Sequence, residues 1–478
     1  MGEFRLLKTG LGYTNCSSGS LFDPAWFALD ESRGFEEPRF KVFMRATVVV
    51  SEYLVYIPAV VNFLRRYTRM QAVPVWSASI ALVAVLLQPA TILIDHGHFQ
   101  YNTVMLGLAV ASLEAILAGR ILWACIFFVG ALGFKQMALY YAPVMFAFLL
   151  GVCIFPRIRI LRLLCISLVT VAAFAALFAP LLVGASSVEG RNHLSSVPQP
   201  PLLQALPIEV NKNSVVYAPL FQLMQVVHRM FPFSRGLFED KVANSWCAIH
   251  TFYKLHRFET SLLQRASLGA TLASILAPCA IIFRHPRASL LLPALSTASW
   301  GFFLFSFQVH EKSVLLPLLP MTLLLASDGG LSKETRSWVG WINVLGSWTM
   351  FPLLQREKLR MPYFVMTFLW AYLLGLPPTS LETYRSRASS EDSSPTFEPN
   401  MFTKIIHFGF YFAMIAWHVL EAFVPPPPGK PDLWVVLNVL IGAGGVGIAY
   451  LWCLWKLITQ CRKIDRKAAE EESQKKKQ

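Results

Sequence analysis

The sequence predicts an all-α integral membrane protein, and three observations predict it. Of the 478 residues, 55% are hydrophobic and only 15% are charged, whereas a soluble domain carries about a quarter charged residues. Apolar runs of near-spanning length recur along the chain, and a single segment that crosses lipid satisfies its backbone polar groups only as an α-helix. The 42 Lys and Arg exceed the 28 Asp and Glu, and they gather between the runs, where basic loops set the orientation of a membrane protein. These features exclude a soluble enzyme, a disordered chain and a small disulfide scaffold. The net charge of +14 reads as loop charge, so the expected partner is a lipid bilayer and not nucleic acid. The eight cysteines (Cys16, Cys125, Cys153, Cys165, Cys247, Cys279, Cys453 and Cys461) lie mostly in or beside apolar runs with no CxxC spacing. Neither a structural disulfide nor a zinc site is expected from them.

The runs fall near 44–64, 74–94, 103–118, 121–137, 139–155, 160–183, 262–283, 288–306, 313–327, 337–355, 361–377, 403–423 and 433–457. That makes about thirteen helices, several shorter than the ~20 residues of a straight span. Residues 1–43 hold no run of that length and carry a glycosylation sequon, Asn15-Cys16-Ser17, which matters only if the segment is luminal. Under strict alternation, Arg65, Arg66 and Arg69, then Arg157, Arg159 and Arg162, then Arg284 and Arg287, then Lys456, Arg462, Lys463, Arg466 and Lys467 share one side. That side is read as cytoplasmic. Arg356, Lys358 and Arg360 dissent, falling on the other side. The predicted organisation is a luminal segment 1–43, a membrane module 44–377 with a luminal loop 184–261, a cytosolic linker 378–402 around Ser386–Ser394, two membrane helices in 403–457 joined through Pro425–Pro428, and a cytosolic basic tail 458–478.

Four polar clusters collect on the side opposite the basic loops. The first follows the run ending at Ile94: Asp95, His96, His98, Gln100, Tyr101 and Asn102. A single ionisable residue at a span end often only anchors the interface, but six polar groups in eight residues suit a polyhydroxylated ligand. His96 and His98 have no second ligand pair, so no metal is expected there. The second is Lys135 with Gln136. A lysine at membrane depth snorkels to the interface or faces a cavity or counter-ion. The third lies in the longest loop and includes Arg235, Glu239, Asp240, Lys241, Asn244 and Trp246 among aromatic residues. Such a stretch is either an amphipathic surface or a site for sugar hydroxyls and an anionic phosphate. The fourth is His310, Glu311 and Lys312, three ionisable residues between apolar runs. It is either a short loop or a place where Lys312 meets a phosphate while His310 and Glu311 orient it or relay a proton.

Together the clusters, with Asp23-Pro24-Ala25-Trp26-Phe27-Ala28-Leu29, Ser32-Arg33-Gly34-Phe35 and Phe43-Met44-Arg45, carry a resemblance that runs to about residue 377. The chain resembles the endoplasmic-reticulum glucosyltransferases that take glucose from dolichyl phosphate glucose to build the lipid-linked oligosaccharide of N-glycosylation. The form at 231–244 (Phe-Pro-Phe-x-Arg-Gly-Leu-Phe-Glu-Asp-Lys-Val-Ala-Asn) and the stretch Phe134–Tyr141 are similar to those of the enzyme that adds the first α-1,3 glucose to Man9GlcNAc2-PP-dolichol. The resemblance implies a GT-C membrane fold, a luminal site, an endoplasmic-reticulum location and an inverting, metal-independent reaction without a cofactor. Its implied partners are dolichyl phosphate glucose as donor and the dolichyl-pyrophosphate-linked oligosaccharide as acceptor.

Two departures accompany the resemblance. Family members begin with a further spanning helix, then an acidic residue expected to act as base and a Trp-x-x-Asp-Tyr-Pro-Pro motif. Neither helix nor motif occurs here, so no residue among Asp23, Asp30, Glu31, Glu36 and Glu37 is promoted to the base. Base assistance contributes ~10²–10⁴-fold to rate, so the chain as written is expected not to restore glucosylation alone. Residues 186–216 read as an insertion without family features. Competing readings are the second glucosyltransferase of the pathway, a catalytically inactive relative that binds lipid-linked oligosaccharide, and a transporter, for which inverted repeats are not evident. Lys475 and Lys476 have the spacing of a dilysine retrieval signal, which a receptor reads only on a cytosolic tail.

Overall fold

The computed structural model describes residues 23, 26, 37–195, 197–205, 211, 214–230, 241–327, 331–385 and 398–477. Among these the regular structure is helical, with no β-strand. The principal helices are α1 (Pro38–Met70), α2 (Val75–Phe99), α3 (Asn102–Leu117), α4 (Ile121–Phe134), α5 (Ala142–Ile154), α6 (Ile160–Ser186), α7 (Tyr217–Met230), α8 (Ser245–Phe252), α9 (Thr260–Arg284), α10 (Ala288–Phe305), α11 (Leu315–Leu323), α12 (Lys333–Thr349), α13 (Arg360–Leu373), α14 (Met401–Phe423) and α15 (Leu433–Lys477). Every apolar run of the sequence falls on one of them. Among the described residues seven are long and apolar enough to cross a membrane: α1, α2, α6, α9, α10, α14 and the Leu433–Arg466 part of α15. Helices α3, α4 and α5 are apolar but shorter.

The chain divides into two units, Met1–Val49 with Val169–Arg235 and Val50–Leu168 with Gly236–Gln478. In the smaller unit, Trp26 packs its ring on Phe40 and Phe43, with centroids 5.7 and 5.4 Å away, and donates from Nε1 to Glu37 Oε2 at 3.3 Å. The segment 186–216 contributes two short helices, Val188–Ser195 and Pro201–Gln204. Leu194 and Leu203 from them join Ala185, Ala218 and Phe221 in a small apolar core. Part of the stretch read as an insertion is therefore built into this unit's interior.

The larger unit holds the main core. Helix α3 packs against α4 and α1, α9 against α10 and α5, and α10 against α15 and α11. Buried polar side chains bind these helices together, as interhelical hydrogen bonds do in lipid. Gln88 Nε2 donates to Asn343 Oδ1 at 2.7 Å and to Thr322 Oγ1 at 3.0 Å, joining α2, α12 and α11. Two glycines permit backbone contact. A Cβ on Gly107 would stand 2.8 Å from Tyr56 Cα, and one on Gly151 would stand 2.4 Å from the Phe283 carbonyl oxygen.

Two helices depart from α geometry where they meet. Glu52–Tyr56 of α1 and Leu93–Phe99 of α2 are π-helical. A π-turn holds one residue more than an α-turn and often marks a functional site. The run expected at 121–137 ends earlier, at Phe134. Lys135 adopts extended backbone and a 3-10 turn, Gln136–Tyr140, leads into α5. The lysine thus leaves the helix, and its side chain is aimed by a break in the chain.

Candidate active site

The site is built around Asp95, the third residue of the π-helical end of α2. Its carboxylate is fully buried, and both oxygens are used within the protein. Oδ2 accepts the backbone N–H of Thr103 at 2.6 Å, and Oδ1 accepts from Asn102 Nδ2 at 2.7 Å. Asp95 therefore caps the first turn of α3, where backbone donors lack helical partners, and it fixes the Asn102 amide. Asn102 Oδ1 in turn accepts from Lys135 Nζ at 2.5 Å, and Gln100 Oε1 accepts from the same ammonium at 3.1 Å. A buried carboxylate thus holds a buried amide, and the amide holds a cation. Lys135 lies beyond the last residue of α4. Burial draws its pKa below the ordinary lysine value, with the Asp95 charge opposing that shift and the Lys312 charge adding to it.

Lys312 comes from the 3-10 turn Glu311–Val314, between α10 and α11. It stands within electrostatic reach of both Lys135 and His98. Tyr140 hydrogen-bonds with Ser306 and Ser313, and its ring stacks on Phe302 at 5.1 Å. The Lys135–Tyr141 segment is thereby tied to the segment that carries Lys312. Residues of the first, second and fourth sequence clusters, far apart in the chain, are thus brought together in the fold.

Three carboxylates, Glu52, Glu357 and Glu421, escaped the sequence reading. Glu52, largely buried in the π-turn of α1, places Oε2 2.6 Å from His96 Nε2. Glu357 Oε1 lies 3.4 Å from His98 Nδ1. Arg356 lies 3.9 Å from Glu311, and Arg360 forks onto Glu421 at 3.0 and 3.2 Å. The basic loop that dissented from the charge pattern thus sits against carboxylates, two of its members at or beside the site. Two of its three basic residues, Arg356 and Arg360, have carboxylate partners in the fold. A positive-charge count has no access to that pairing, and the only linear signal was the dissent itself.

Three of the five non-glycine residues with positive φ among the described residues lie in the same three segments, the others being Ala72 and Leu331. Phe99, Gln308 and Lys358 all have positive φ, at 73°, 59° and 60°. Left-handed backbone is costly for a residue with a Cβ, and it persists where surrounding structure enforces it, often at functional sites. Phe99 ends the π-helix after His98, Gln308 precedes His310, and Lys358 follows Glu357.

The third cluster divides. Arg235, Glu239 and Asp240 lie outside the described residues. Lys241 is exposed and paired with Asp432. Asn244 is buried and caps α8, accepting from the Cys247 N–H at 2.9 Å. Trp246 donates to the Phe305 carbonyl at 2.7 Å, which also accepts from Ser267 Oγ at 2.7 Å. Phe305 ends α10 just before the 306–312 segment, so Trp246 braces the approach to His310–Lys312.

A family model described as "ALG6, ALG8 glycosyltransferase family" matches residues 12–196 and 207–455. The chain belongs to the ALG6, ALG8 glycosyltransferase family. The unmatched 197–206 lies within the segment read as an insertion. Similar proteins include the dolichyl pyrophosphate Man9GlcNAc2 alpha-1,3-glucosyltransferase of Saccharomyces cerevisiae, 40% identical over 456 residues, covering 92% of this chain and 77% of the relative. The probable enzyme of the same name in Schizosaccharomyces pombe is 39% identical over 439 residues, covering 91% and 76%. The Gallus gallus enzyme is 32% identical over 432 residues, covering 87% and 76%. In this ALG6, ALG8 family member the matched region includes every residue of the site, from Glu52 through Glu421.

Proposed function

We propose that the protein transfers glucose from dolichyl phosphate glucose to Man9GlcNAc2-PP-dolichol, with inversion, forming the first α-1,3-linked glucose. The observation that carries the reading is Lys135, held by the amide oxygens of Gln100 and Asn102 within electrostatic reach of Lys312. Two cations within electrostatic reach repel one another, and an anion bound by both relieves that repulsion. Dolichyl phosphate departs as an anion, and preorganised cations stabilise it where the charge develops. The names of the relatives supply the acceptor, and the family resemblance supplies the donor.

In this reading Lys312 and Lys135 meet the donor phosphate. Asp95 acts from behind as a positioning residue, because its oxygens are already engaged. His96 and His98, each against a carboxylate, border the sugar, and Gln100, Tyr101 and Gln136 are assigned to its hydroxyls. His310 and Glu311 orient Lys312. Of the third cluster, Trp246 supports the segment leading to His310–Lys312 from behind, through its bond to the Phe305 carbonyl.

The architecture is read as a GT-C fold of about thirteen spans in the endoplasmic-reticulum membrane. The site loops are luminal and the C-terminus is cytosolic. The separation of charges supports this. At the ends of α5 and α9 remote from the site, Arg284 lies over Phe155 at 4.7 Å. Arg66, after the site-proximal half of α1, pairs with Glu114 at 2.9 Å. These are the basic groups that the positive-inside pattern assigns to the cytosol.

The test is transfer of labelled glucose from dolichyl phosphate glucose to a Man9GlcNAc2 lipid by the purified protein. Product bearing one α-1,3 glucose on that acceptor is the expected result. Preference for an acceptor that already carries one glucose overturns the reading in favour of the second step of the pathway.

A further inference from the structure

We propose that His285, Cys461 and Asp465 form a site for a borderline-soft divalent metal of the zinc class, remote from the sugar-transfer site. The three ligand atoms lie within 4.8 Å of one another, and this is the one such group among the described residues. An imidazole nitrogen, a thiolate sulfur and a carboxylate oxygen are zinc's usual protein donors. Two edges of the triangle already have the length of a coordination polyhedron: His285 Nδ1 to Asp465 Oδ1 is 3.5 Å, and Cys461 Sγ to Asp465 Oδ2 is 3.9 Å. Metal bonds of about 2.0–2.3 Å give tetrahedral edges of roughly 3.3–3.8 Å.

The local structure explains the convergence. Cys461 and Asp465 are four apart on α15, so they share a face one turn apart. His285 is the residue at which α9 stops, and its ring meets that face. The Cys461 residue is buried, whereas the Asp465 side chain is about half exposed, which leaves a route for the ion. Arg287 is the facing cation, close enough to act on Cys461. With the imidazole neutral, a thiolate and a carboxylate still outweigh it by one charge. Binding forms two sulfur- and oxygen-metal bonds and one nitrogen-metal bond. The thiol proton is released to solvent, and no electron moves. Three protein ligands leave one position for water.

Helix α10 runs from Ala288, next to this cluster, to Phe305, next to the transfer site. Eighteen helical residues separate the two by about 27 Å. The metal therefore has no part in glucose transfer. It clasps the end of the last membrane helix to the turn between α9 and α10.

The experiment uses the full chain in detergent, with cobalt(II) as spectroscopic probe and zinc as competitor. One equivalent of cobalt is expected to give a thiolate-to-cobalt charge-transfer band that zinc abolishes. Cys461→Ser should remove the band, and Asp465→Asn should weaken binding at least tenfold, with glucose transfer unchanged in both. Maleimide labelling of the unsubstituted protein reads the same site without relying on a variant: zinc should protect Cys461 selectively. Absence of the band, its persistence in Cys461→Ser, or labelling of Cys461 indifferent to zinc overturns the proposal.

Discussion

Lys312 and Asp95 are the two residues from which the chemistry can be read most directly, and they act differently. In the proposed reading, replacing Lys312 by Ala removes one charge-assisted contact to the donor phosphate, a loss of about 1.5–3 kcal/mol. The expected result is a fall in kcat/KM of roughly ten- to a hundredfold, at about 1.4 kcal/mol per decade, with an unchanged melting temperature. Normal transfer kinetics in a folded Lys312→Ala protein would exclude its role. Asp95→Ala behaves otherwise, because it takes the acceptor from the buried Thr103 N–H and leaves the Asn102 amide nitrogen with Gln100 Oε1 alone. Each unsatisfied buried group costs about 1–3 kcal/mol. Both the melting temperature and transfer should fall. Asp95→Asn, which keeps one acceptor oxygen, should recover part of the stability. An Asp95→Ala protein as stable and active as the parent would show that the carboxylate does not hold Asn102 in place.

At the scale of helices, the contact between α3 and the π-turn of α1 decides where Glu52 stands. Gly107 lies against the Tyr56 backbone, and its missing Cβ permits the approach. Gly107→Val would force backbone apart, and overpacking of this kind costs typically 1–3 kcal/mol. The expected outcome is a lower melting temperature together with reduced transfer, since Glu52 moves away from His96. Gly447→Ala is the control. A Cβ there meets nothing within 4 Å, so stability and transfer should stay near the parent values. Equal effects of the two substitutions would mean that the close approach of α3 is unimportant.

At the scale of the whole chain, topology is the measurable consequence: within the larger unit Arg66 and Arg284 lie at the ends of their helices remote from the polar site, although the loop of Arg356 lies beside it. In sealed microsomes the loop 184–261 should resist added protease while a C-terminal tag is digested. Cleavage within 241–259 in intact vesicles would reverse the orientation. The most apolar long helix, α6, has only 11% of its central stretch buried, while α10 has 78% buried. Leu161, Leu164, Leu168 and Val171 of α6 are exposed. In water such a face would be an aggregation hazard, but lipid tails are as apolar as leucine and make it an ordinary surface. Extraction into a harsh detergent that strips lipid should therefore lower the melting temperature, and added phospholipid should restore it.

The amino-acid sequence determined, by itself, the helical class, the positions of the apolar runs, the alternation of basic loops and the four polar clusters that carry the family resemblance. Each of these is local: composition fixes the solvent a segment prefers, and a run of residues carries its own length and charge. The tertiary structure alone decided which clusters meet. Glu52 and His96, His98 and Glu357, Glu311 and Arg356, and His285 with Cys461 and Asp465 are distant in the chain. Hydropathy has no term for the distance between two helices. The structure also decided that Asp95, exposed to view in the sequence as a ligand, is used up inside the protein by Asn102 and Thr103. Likewise it showed that Lys135 sits at a helix break, not within a span. Apolar periodicity reports that a helix avoids water but does not separate lipid from protein, so the difference between α6 and α10 was invisible until packing resolved it. The physical reason is common to all these cases. Burial against a partner depends on pairs of surfaces, and a linear chain specifies those pairs only after it has folded.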